Sequence, residues 1–120
     1  MFGFERLDVW KRAIEFAKRV YSVTKHFPAD ERFGLTNQLR RASVSVSANL
    51  AEGSGRGTNP EFIRFIGIAY GSLMEVVSHI TIAKELGFVN DEDFKSLHEE
   101  AHVLSRMMSG LKKSLSPPKN

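Results

Sequence analysis

The sequence predicts an all-α protein folded as a single up-down-up-down antiparallel four-helix bundle. Apolar residues recur with the period of an amphipathic helix in four separate stretches, and glycine, proline and asparagine mark the points between them. The connectors that remain are short, as in bundles whose neighbouring helices run antiparallel. One domain is expected over residues 1–120, with a core over about 7–115 and a frayed tail over 116–120.

Helix one is predicted from about Asp8 to His26, and Phe27-Pro28 ends it because the residue before a proline avoids the helical region. One arc of the helix is apolar and the opposite arc is basic; residues 1–26 hold six Lys or Arg and three Asp or Glu. The basic arc has two interpretations, a solvated face without a task or a stripe that faces nucleic-acid phosphates. Its candidate contacts are Lys11, Arg12, Lys18 and Arg19.

Helix two, predicted over Leu35 to Ser54, carries three stripes: an apolar stripe, a polar stripe and a third stripe of mostly small residues. The third stripe lies away from the apolar one and contains Arg40, Val44, Ser47 and Ala51. The apolar stripe contains Leu35, Leu39, Ala42, Val46, Leu50 and Gly53. The second stripe, which we call the polar ladder, lies about 100° further round. It contains Gln38, Arg41, Ser45, Asn49, Glu52 and Arg56. Because all of its side chains can form hydrogen bonds and none is lysine, the usual residue of a solvated face, we interpret the ladder as a contact surface between helices or subunits. The alternation of Ser43-Val44-Ser45-Val46-Ser47 is also typical of a strand, but its flanks favour helix.

Helix three is predicted to start at Asn59 as the N-cap, with Pro60 at the first helical position, and to end near Leu86 before the C-terminal glycine Gly87. Helix four follows the cap Asn90 and has an acidic first turn. Its apolar residues form an unbroken heptad seam, which is typical of antiparallel bundles. The seam contains Phe94, Leu97, Ala101, Leu104, Met108, Leu111 and Leu115.

Helix three is apolar on more than one side, since Ile68 and Ile82 lie away from its core face. In a single small domain, burial of a second apolar face is expected to come from another copy of the chain. Glu75 is then expected in an apolar setting, where a carboxylate needs a cationic or hydrogen-bonding partner. The candidate partners, within or between chains, are Arg40, Arg41 and Arg64.

Composition excludes several classes of protein. The chain has no cysteine, which excludes disulfides, thiolate metal sites and thiol nucleophiles. The first residues lack the apolar core of a signal peptide, and no uncharged apolar run is long enough to cross a bilayer. The net charge of +3 is modest and alone is weak support for nucleic-acid binding. A cytoplasmic protein with no membrane association, cofactor or small-molecule substrate is expected.

Two motifs could carry chemistry. His98-Glu99-Glu100-Ala101-His102 matches H-E-x-x-H, which places two imidazoles on one side of a helix. No Asp, Glu or His follows His102 to complete the site, so we expect no metal, and a zinc hydrolase is the remote alternative.

The turn Gly53-Ser54-Gly55-Arg56-Gly57 has two interpretations. It could hold a phosphate through Arg56 and free amides at the start of helix three, or it could be only a glycine-rich turn.

Several segments agree in order and spacing with one family. They are Leu7-Asp8-Val9-Trp10, Phe27-Pro28, Glu31-Arg32-Phe33-Gly34-Leu35, Gln38-Leu39-Arg40-Arg41-Ala42, Asn49-Leu50-Ala51-Glu52-Gly53, Gly71-Ser72 with Glu75, and Leu86-Gly87. Over about residues 4–115 the chain resembles a bacterial family of four-helix-bundle proteins. That family includes proteins encoded within intervening sequences of large-subunit ribosomal RNA genes, and the accessory protein of diversity-generating retroelements is a relative.

This resemblance implies an all-α bundle that assembles as a ring-like homopentamer, has no known catalysis and associates with nucleic acid through a basic surface. The family pattern marks no dedicated RNA-contacting residues, so the basic candidates come from helix one and the arginines. Members often carry proline near the position of Ser47, and this chain does not, so a proline kink in helix two is not implied here.

The first hypothesis is therefore a non-enzymatic oligomer in an accessory role that binds RNA or DNA through charge and shape. Its candidate nucleic-acid contacts are Lys11, Arg12, Lys18, Arg19 and Arg56. The alternative is a protein–protein adaptor or scaffold without a nucleic-acid ligand. The candidate oligomer or structural contacts are Gln38, Arg40, Arg41, Ser45, Asn49, Glu52, Arg64, Ile68, Glu75 and Ile82.

Overall fold

The computed structural model describes residues 1–118, and within them every regular element is helical. The four α-helices are α1 (Asp8–Thr24), α2 (Leu35–Ser54), α3 (Asn59–Glu85) and α4 (Asp91–Leu115). Short 3-10 helices lie at Gly3–Arg6 and Ala29–Glu31. The alternating segment from Ser43 to Ser47 lies inside α2, so the strand interpretation is wrong and the helix is confirmed.

The helices close a cycle of contacts around one core. α1 packs against α2 and α4, and α3 packs against the same two helices. Across the described residues the diagonal pairs, α1 with α3 and α2 with α4, do not approach each other closely. The result is an elongated body with extents of 50 × 27 × 20 Å. This packing is consistent with a four-helix bundle, as predicted.

The predicted apolar stripes form the core. All six residues of the α2 stripe are buried, including Gly53 at its end. In α4 the central seam residues Leu97, Ala101, Leu104 and Met108 are buried, and the outer seam residues are partly covered. Helical periodicity predicts these residues correctly because each stripe can be buried only toward the bundle centre.

Two helix ends differ from the prediction. α1 ends at Thr24, whose hydroxyl donates to the carbonyl of Val20 at 2.7 Å, and not at His26. The N-cap of α3 is Thr58 and not Asn59, because the Thr58 hydroxyl accepts from the amide of Glu61 at 3.3 Å. A cap must lie outside the helix and reach the third helical amide, which places Asn59 inside the first turn.

The remaining caps follow the sequence signals. The side chain of Asn90 accepts from the amide of Asp93 at 2.7 Å and caps α4. Gly87 has a φ of +79°, as expected for a glycine that ends a helix. The rings of Phe27 and Phe88 lie 5.8 Å apart, so the connector after α1 packs on the connector after α3. The expected frayed tail begins after Leu115, and residues 119–120 of it lie outside the described residues.

Candidate nucleic-acid interface and subunit contacts

The basic arc of α1 is divided between α4 and solvent. Arg12 forms a bidentate pair with Glu100, and its Nε–Oε1 and Nη2–Oε2 distances are both 3.0 Å. These hydrogen bonds, together with the opposite charge of Glu100, raise the pKa of Arg12 above its ordinary value. The guanidinium of Arg19 donates to the hydroxyl of Ser96, which lies on α4 like Glu100. Both arginines therefore join the first and last helices and are less available to a phosphate than the sequence predicts.

The lysines of the arc are more accessible. Lys11 is exposed and has no carboxylate within ion-pair distance in residues 1–118. Lys18 lies 3.3 Å from Glu15, but both side chains are about two-thirds exposed. A solvent-exposed pair of this kind contributes only about 0–1 kcal/mol, so a phosphate can displace the carboxylate. Lys11 and Lys18 are thus the best placed of the candidate phosphate contacts.

Arg56 lies apart from the α1 arc, at the end of α2. Its Nη2 is 3.1 Å from Glu52, and its guanidinium is 4.8 Å from the centre of the Phe65 ring. The contacts of Arg56 close the turn onto α3. The alternative in which this turn holds a phosphate stays a prediction.

Two glycines of that turn, Gly53 and Gly57, are needed for different structural reasons. A Cβ atom built on Gly53 would lie 2.6 Å from the Cβ of Phe65 and 3.1 Å from a ring carbon of Phe62, so only a glycine fits this close approach of α2 and α3. Gly57 has a φ of +90°, which L side chains rarely adopt, and it reverses the chain before the Thr58 cap.

The polar ladder of α2 contributes to the contact with α3. The hydroxyl of Ser72 donates to the hydroxyl of Ser45 at 2.9 Å, and the side-chain amide of Asn49 donates to the same oxygen at 2.9 Å. Further along, a groove of about 390 Å³ opens between the two helices. Its polar lining includes Gln38, Arg41, Ser45, Ser72, Glu75 and His79. The Nδ1 atom of His79 is buried there without a hydrogen-bond partner in the described chain.

The apolar setting expected for Glu75 depends on a second copy of the chain, so it stays a prediction. Glu75 is exposed, lines this polar groove together with Arg41, and forms no salt bridge within residues 1–118. The other two candidate partners are engaged elsewhere. Arg40 donates to Thr24 Oγ1 at 2.9 Å on the opposite side of α2, and Arg64 pairs with Glu61 at 2.9 Å. Neighbouring residues of a helix point to different sides, which separates Arg40 from Arg41.

Removing the charge of Arg41 or of Glu75 is expected to change the free energy of unfolding of the single chain by less than about 0.5 kcal/mol, because both side chains are exposed and neither forms an ion pair within residues 1–118. Denaturant unfolding of Arg41→Ala and Glu75→Ala tests this. A loss above about 1 kcal/mol in the monomer would show that the two residues stabilise the chain itself. A lower solution mass with unchanged stability would place them at a subunit contact.

The outer face of α3 is apolar and uncovered. We define it by Gly67, Ile68, Gly71, Met74, Glu75, Ser78 and Ile82. Ile68 and Ile82 are 41% and 46% exposed. Cβ atoms built on Gly67 and Gly71 would meet nothing within 4 Å, so nothing in the described chain requires glycine at either position.

The apolar character of α3 is high for a helix of this bundle. In the described chain α3 alone is long and apolar enough to cross a membrane by length and composition, and 39% of its 18-residue apolar stretch is buried. Core helices of soluble proteins can be as long and as apolar, so this is weak support for a membrane span. The exposed Ile68, Met74 and Ile82 show that α3 has apolar surface that a single bundle leaves uncovered.

Comparison with known proteins gives the family. The family model described as "23S rRNA-intervening sequence protein" matches residues 5–110. The chain belongs to this family. The 23S rRNA-intervening sequence protein family thus accounts for all four helices except the end of α4. A search of curated proteins finds no match.

A solved structure has the same fold as this family member. It is a protein of unknown function from the S23 ribosomal protein family of Bacteroides thetaiotaomicron. The two chains are 20% identical, the alignment covers 88% of this chain and 98% of the other, and the TM-score is 0.80. At this identity the likeness shows the fold alone.

The H-E-x-x-H match of this 23S rRNA-intervening sequence family member lies on the surface of α4. The rings of His98 and His102 are 5.0 Å apart, and Ala101 between them is buried against the core. Glu100 is held by Arg12. Among the described residues no group of three His, Cys, Asp or Glu side chains could hold a metal ion. The geometry therefore adds nothing to the remote zinc-hydrolase alternative.

Proposed function

We propose that this protein is a non-enzymatic, oligomeric bundle that binds RNA or DNA electrostatically in an accessory role in the bacterial cytoplasm. The observation that carries this proposal is the exposed pair Lys11 and Lys18 on one arc of α1. A rigid helix holds two cations at a fixed spacing, which suits the repeating charge of a phosphate backbone. The concentration of positive charge in residues 1–26 supports the same surface.

RNA is the first ligand to test. The family description refers to an intervening sequence of 23S rRNA, and we extend that association to this chain as part of the proposal. The described α1 surface offers lysines and arginines but no exposed aromatic platform except Tyr21. Base stacking would therefore contribute little, and shape and charge would dominate recognition.

Binding to structured RNA is expected to weaken steeply as salt rises, because each neutralised phosphate releases a counterion. Each contact contributes about −0.7 (single strands) to −0.9 (duplex DNA) to the slope of log K against log salt concentration. The double variant Lys11→Gln/Lys18→Gln should therefore flatten the slope by roughly 1.4 to 1.8. Fluorescence anisotropy with structured RNA and with single-stranded DNA, at several salt concentrations, measures this.

The matched control removes the same charge elsewhere. Lys112→Gln/Lys113→Gln also deletes two exposed lysines, near the end of α4, and should leave the salt slope close to the wild-type value. If wild type binds neither nucleic acid at low salt, the α1 arc is a solvated face. The adaptor or scaffold alternative would then become the working hypothesis.

The assembly part of the proposal is supported by the α3 outer face. A glycine inside a helix destabilises it by roughly 0.5–1 kcal/mol relative to alanine, and no neighbour among residues 1–118 explains Gly67 or Gly71. Glycines on an exposed helix face allow another helix to approach closely, and the exposed Ile68 and Ile82 would be buried by that approach. The resemblance to ring-forming family members suggests a homopentamer.

We also infer that neighbouring helices run antiparallel, in the up-down-up-down order. Three helix pairs support this inference. Arg12 meets Glu100 whereas Arg19 meets Ser96, so rising numbers in α1 pair with falling numbers in α4. Between α2 and α3, Ser45 lies beside Ser72 and Gly53 lies beside Phe65. Thr24 meets Arg40 at the other end of α1, where α2 begins.

A further inference from the structure

A second uncovered surface lies on the other side of α2. Between α1 and α2 there is a groove of about 640 Å³ with an apolar floor, on which Tyr21 and Val44 are 43% and 44% exposed. The residues that define this α1–α2 groove are Ile14, Tyr21, Val44, Lys18, Lys25 and Arg40. Its lining holds three cations and no acidic side chain. Periodicity alone did not reveal it, because its residues belong to two helices.

The α3 outer face has the complementary chemistry. It is apolar along Ile68, Met74 and Ile82, and its two glycines leave room for a neighbouring backbone. Glu75 carries an unpaired negative charge within the described chain, and the exposed Glu85 lies at the end of the same helix. Arg64, one turn before this face on the same helix, is already paired with Glu61. The face is therefore a narrow, apolar and acidic helix surface.

We propose that the α3 outer face of one copy docks into the α1–α2 groove of the next copy. This inference rests on the assembly part of the proposed function and names its two contacting surfaces. A helix with small residues at the contact can lie in a groove between two others at normal interaxial distance. The apolar floor would cover Ile68 or Ile82, while Lys25 and Arg40 on the rim would face the carboxylates of Glu75 and Glu85.

A second copy is the favoured occupant because the chain itself carries both halves of the contact. The alternative symmetric contact, α3 against α3, would bring like charges together at Glu75 and would leave the basic groove uncovered. Two different surfaces instead make a head-to-tail contact, which closes into a ring when the rotation between subunits permits. The nucleic-acid candidate Lys18 would then lie at the edge of a subunit contact, with Lys11 further along the same arc.

The test uses one variant for each surface. Val44→Glu places a carboxylate in the groove, and Ile82→Glu places one on the α3 outer face. Val44 and Ile82 are both exposed in the described chain, so both variants should keep the helical circular dichroism of wild type. The matched control Phe33→Glu alters another exposed apolar residue, which lies in neither surface. Light scattering after size exclusion should give a multimer for wild type and control, and the 13.5 kDa monomer for each variant.

Mixing the two variants decides the docking mode. The Val44→Glu chain still has an intact α3 outer face, and the Ile82→Glu chain still has an intact groove. An equimolar mixture should therefore form a one-to-one heterodimer of twice the monomer mass that grows no further, because the two altered surfaces repel each other. A symmetric α3 contact cannot produce this result, since one partner of every mixed pair would carry the Ile82→Glu change.

Two failures are distinguishable. A wild-type protein that is monomeric at all concentrations would refute the assembly part of the proposed function, and this inference with it. A wild-type multimer that survives Val44→Glu, or a mixture that yields no heterodimer, would overturn only the docking of α3 into the groove. In the second case the nucleic-acid proposal would be unaffected.

Discussion

Replacing Leu39 by alanine is expected to lower the free energy of unfolding by about 2–5 kcal/mol. Leu39 is fully buried in the middle of the apolar stripe of α2, the helix that packs against both α1 and α3. The substitution removes three buried carbon atoms and leaves a cavity that neighbouring helices can fill only in part. Total stabilities of small domains are about 5–15 kcal/mol, so the loss would be large. Urea unfolding followed by circular dichroism measures it.

A matched substitution on the same helix separates burial from helix propensity. Val44→Ala also removes carbon atoms from an aliphatic side chain of α2, but Val44 is exposed in the described chain, and alanine is the better helix former. It should change the unfolding free energy of the monomer by less than about 0.5 kcal/mol. Equal losses for the two variants would mean that α2 does not lie in the core as described.

Replacing Gly53 by alanine is expected to lower the unfolding free energy by about 1–3 kcal/mol, although alanine is the better helix former. The added methyl group would lie 2.6 Å from the Cβ of Phe65, where two atoms cannot approach so closely without a shift of the helices. Overpacking at a fixed helix–helix contact outweighs the gain of about 1 kcal/mol in propensity. Thermal and denaturant unfolding should agree on the direction of the change.

Gly110→Ala is the control for this prediction. Gly110 lies inside α4 and is exposed, and a Cβ atom there would meet no described residue within 4 Å. The same substitution should therefore raise the unfolding free energy by roughly 0.5–1 kcal/mol, the ordinary difference between glycine and alanine in a helix. If Gly53→Ala also stabilised the protein, the close approach of α2 to α3 would be incorrect.

Helices and core could be predicted because both depend on the period of apolar residues along one segment. The α2 stripe from Leu35 to Gly53 needs no knowledge of its neighbours, since any bundle must bury it. Cap signals located the ends of three helices to within one or two residues. The shift from Asn59 to Thr58 arose because two adjacent residues could both serve as caps, and only the backbone path distinguishes them.

The partners of charged residues could not be predicted, because they depend on how distant helices pack. Arg12 and Glu100 are 88 residues apart in sequence, and nothing in α1 alone indicates that this arginine meets α4. The partner of Arg40 could not be predicted either. Helical periodicity places this arginine away from the apolar stripe of α2, and its guanidinium lies 4.6 Å from the centre of the Tyr21 ring on α1. A stripe of like charges on one helix therefore predicts a binding surface only as a hypothesis, until the residues of the facing helix are known.

The α1–α2 groove was missed for a related reason. By helical periodicity Tyr21 belongs to the apolar arc of helix one, and Val44 and Ser47 belong to the third, small-residue stripe of helix two. Each assignment is correct for its own helix, but the groove exists only where the two arcs meet at the surface. The exposed Ile68 and Ile82 of α3, in contrast, could be recognised from the sequence, because a helix that is apolar on more than one side needs burial on more than one side.

The closed cycle of helix contacts also has a consequence for the order of synthesis. α1, α2 and α3 leave the ribosome before α4, so the most apolar helix of the protein must wait for the partner that covers one of its sides. At about 5–20 residues per second, the 25 residues of α4 take roughly one to five seconds to make. During those seconds the nascent chain is at its most prone to aggregate, and chaperone binding would be concentrated on α3.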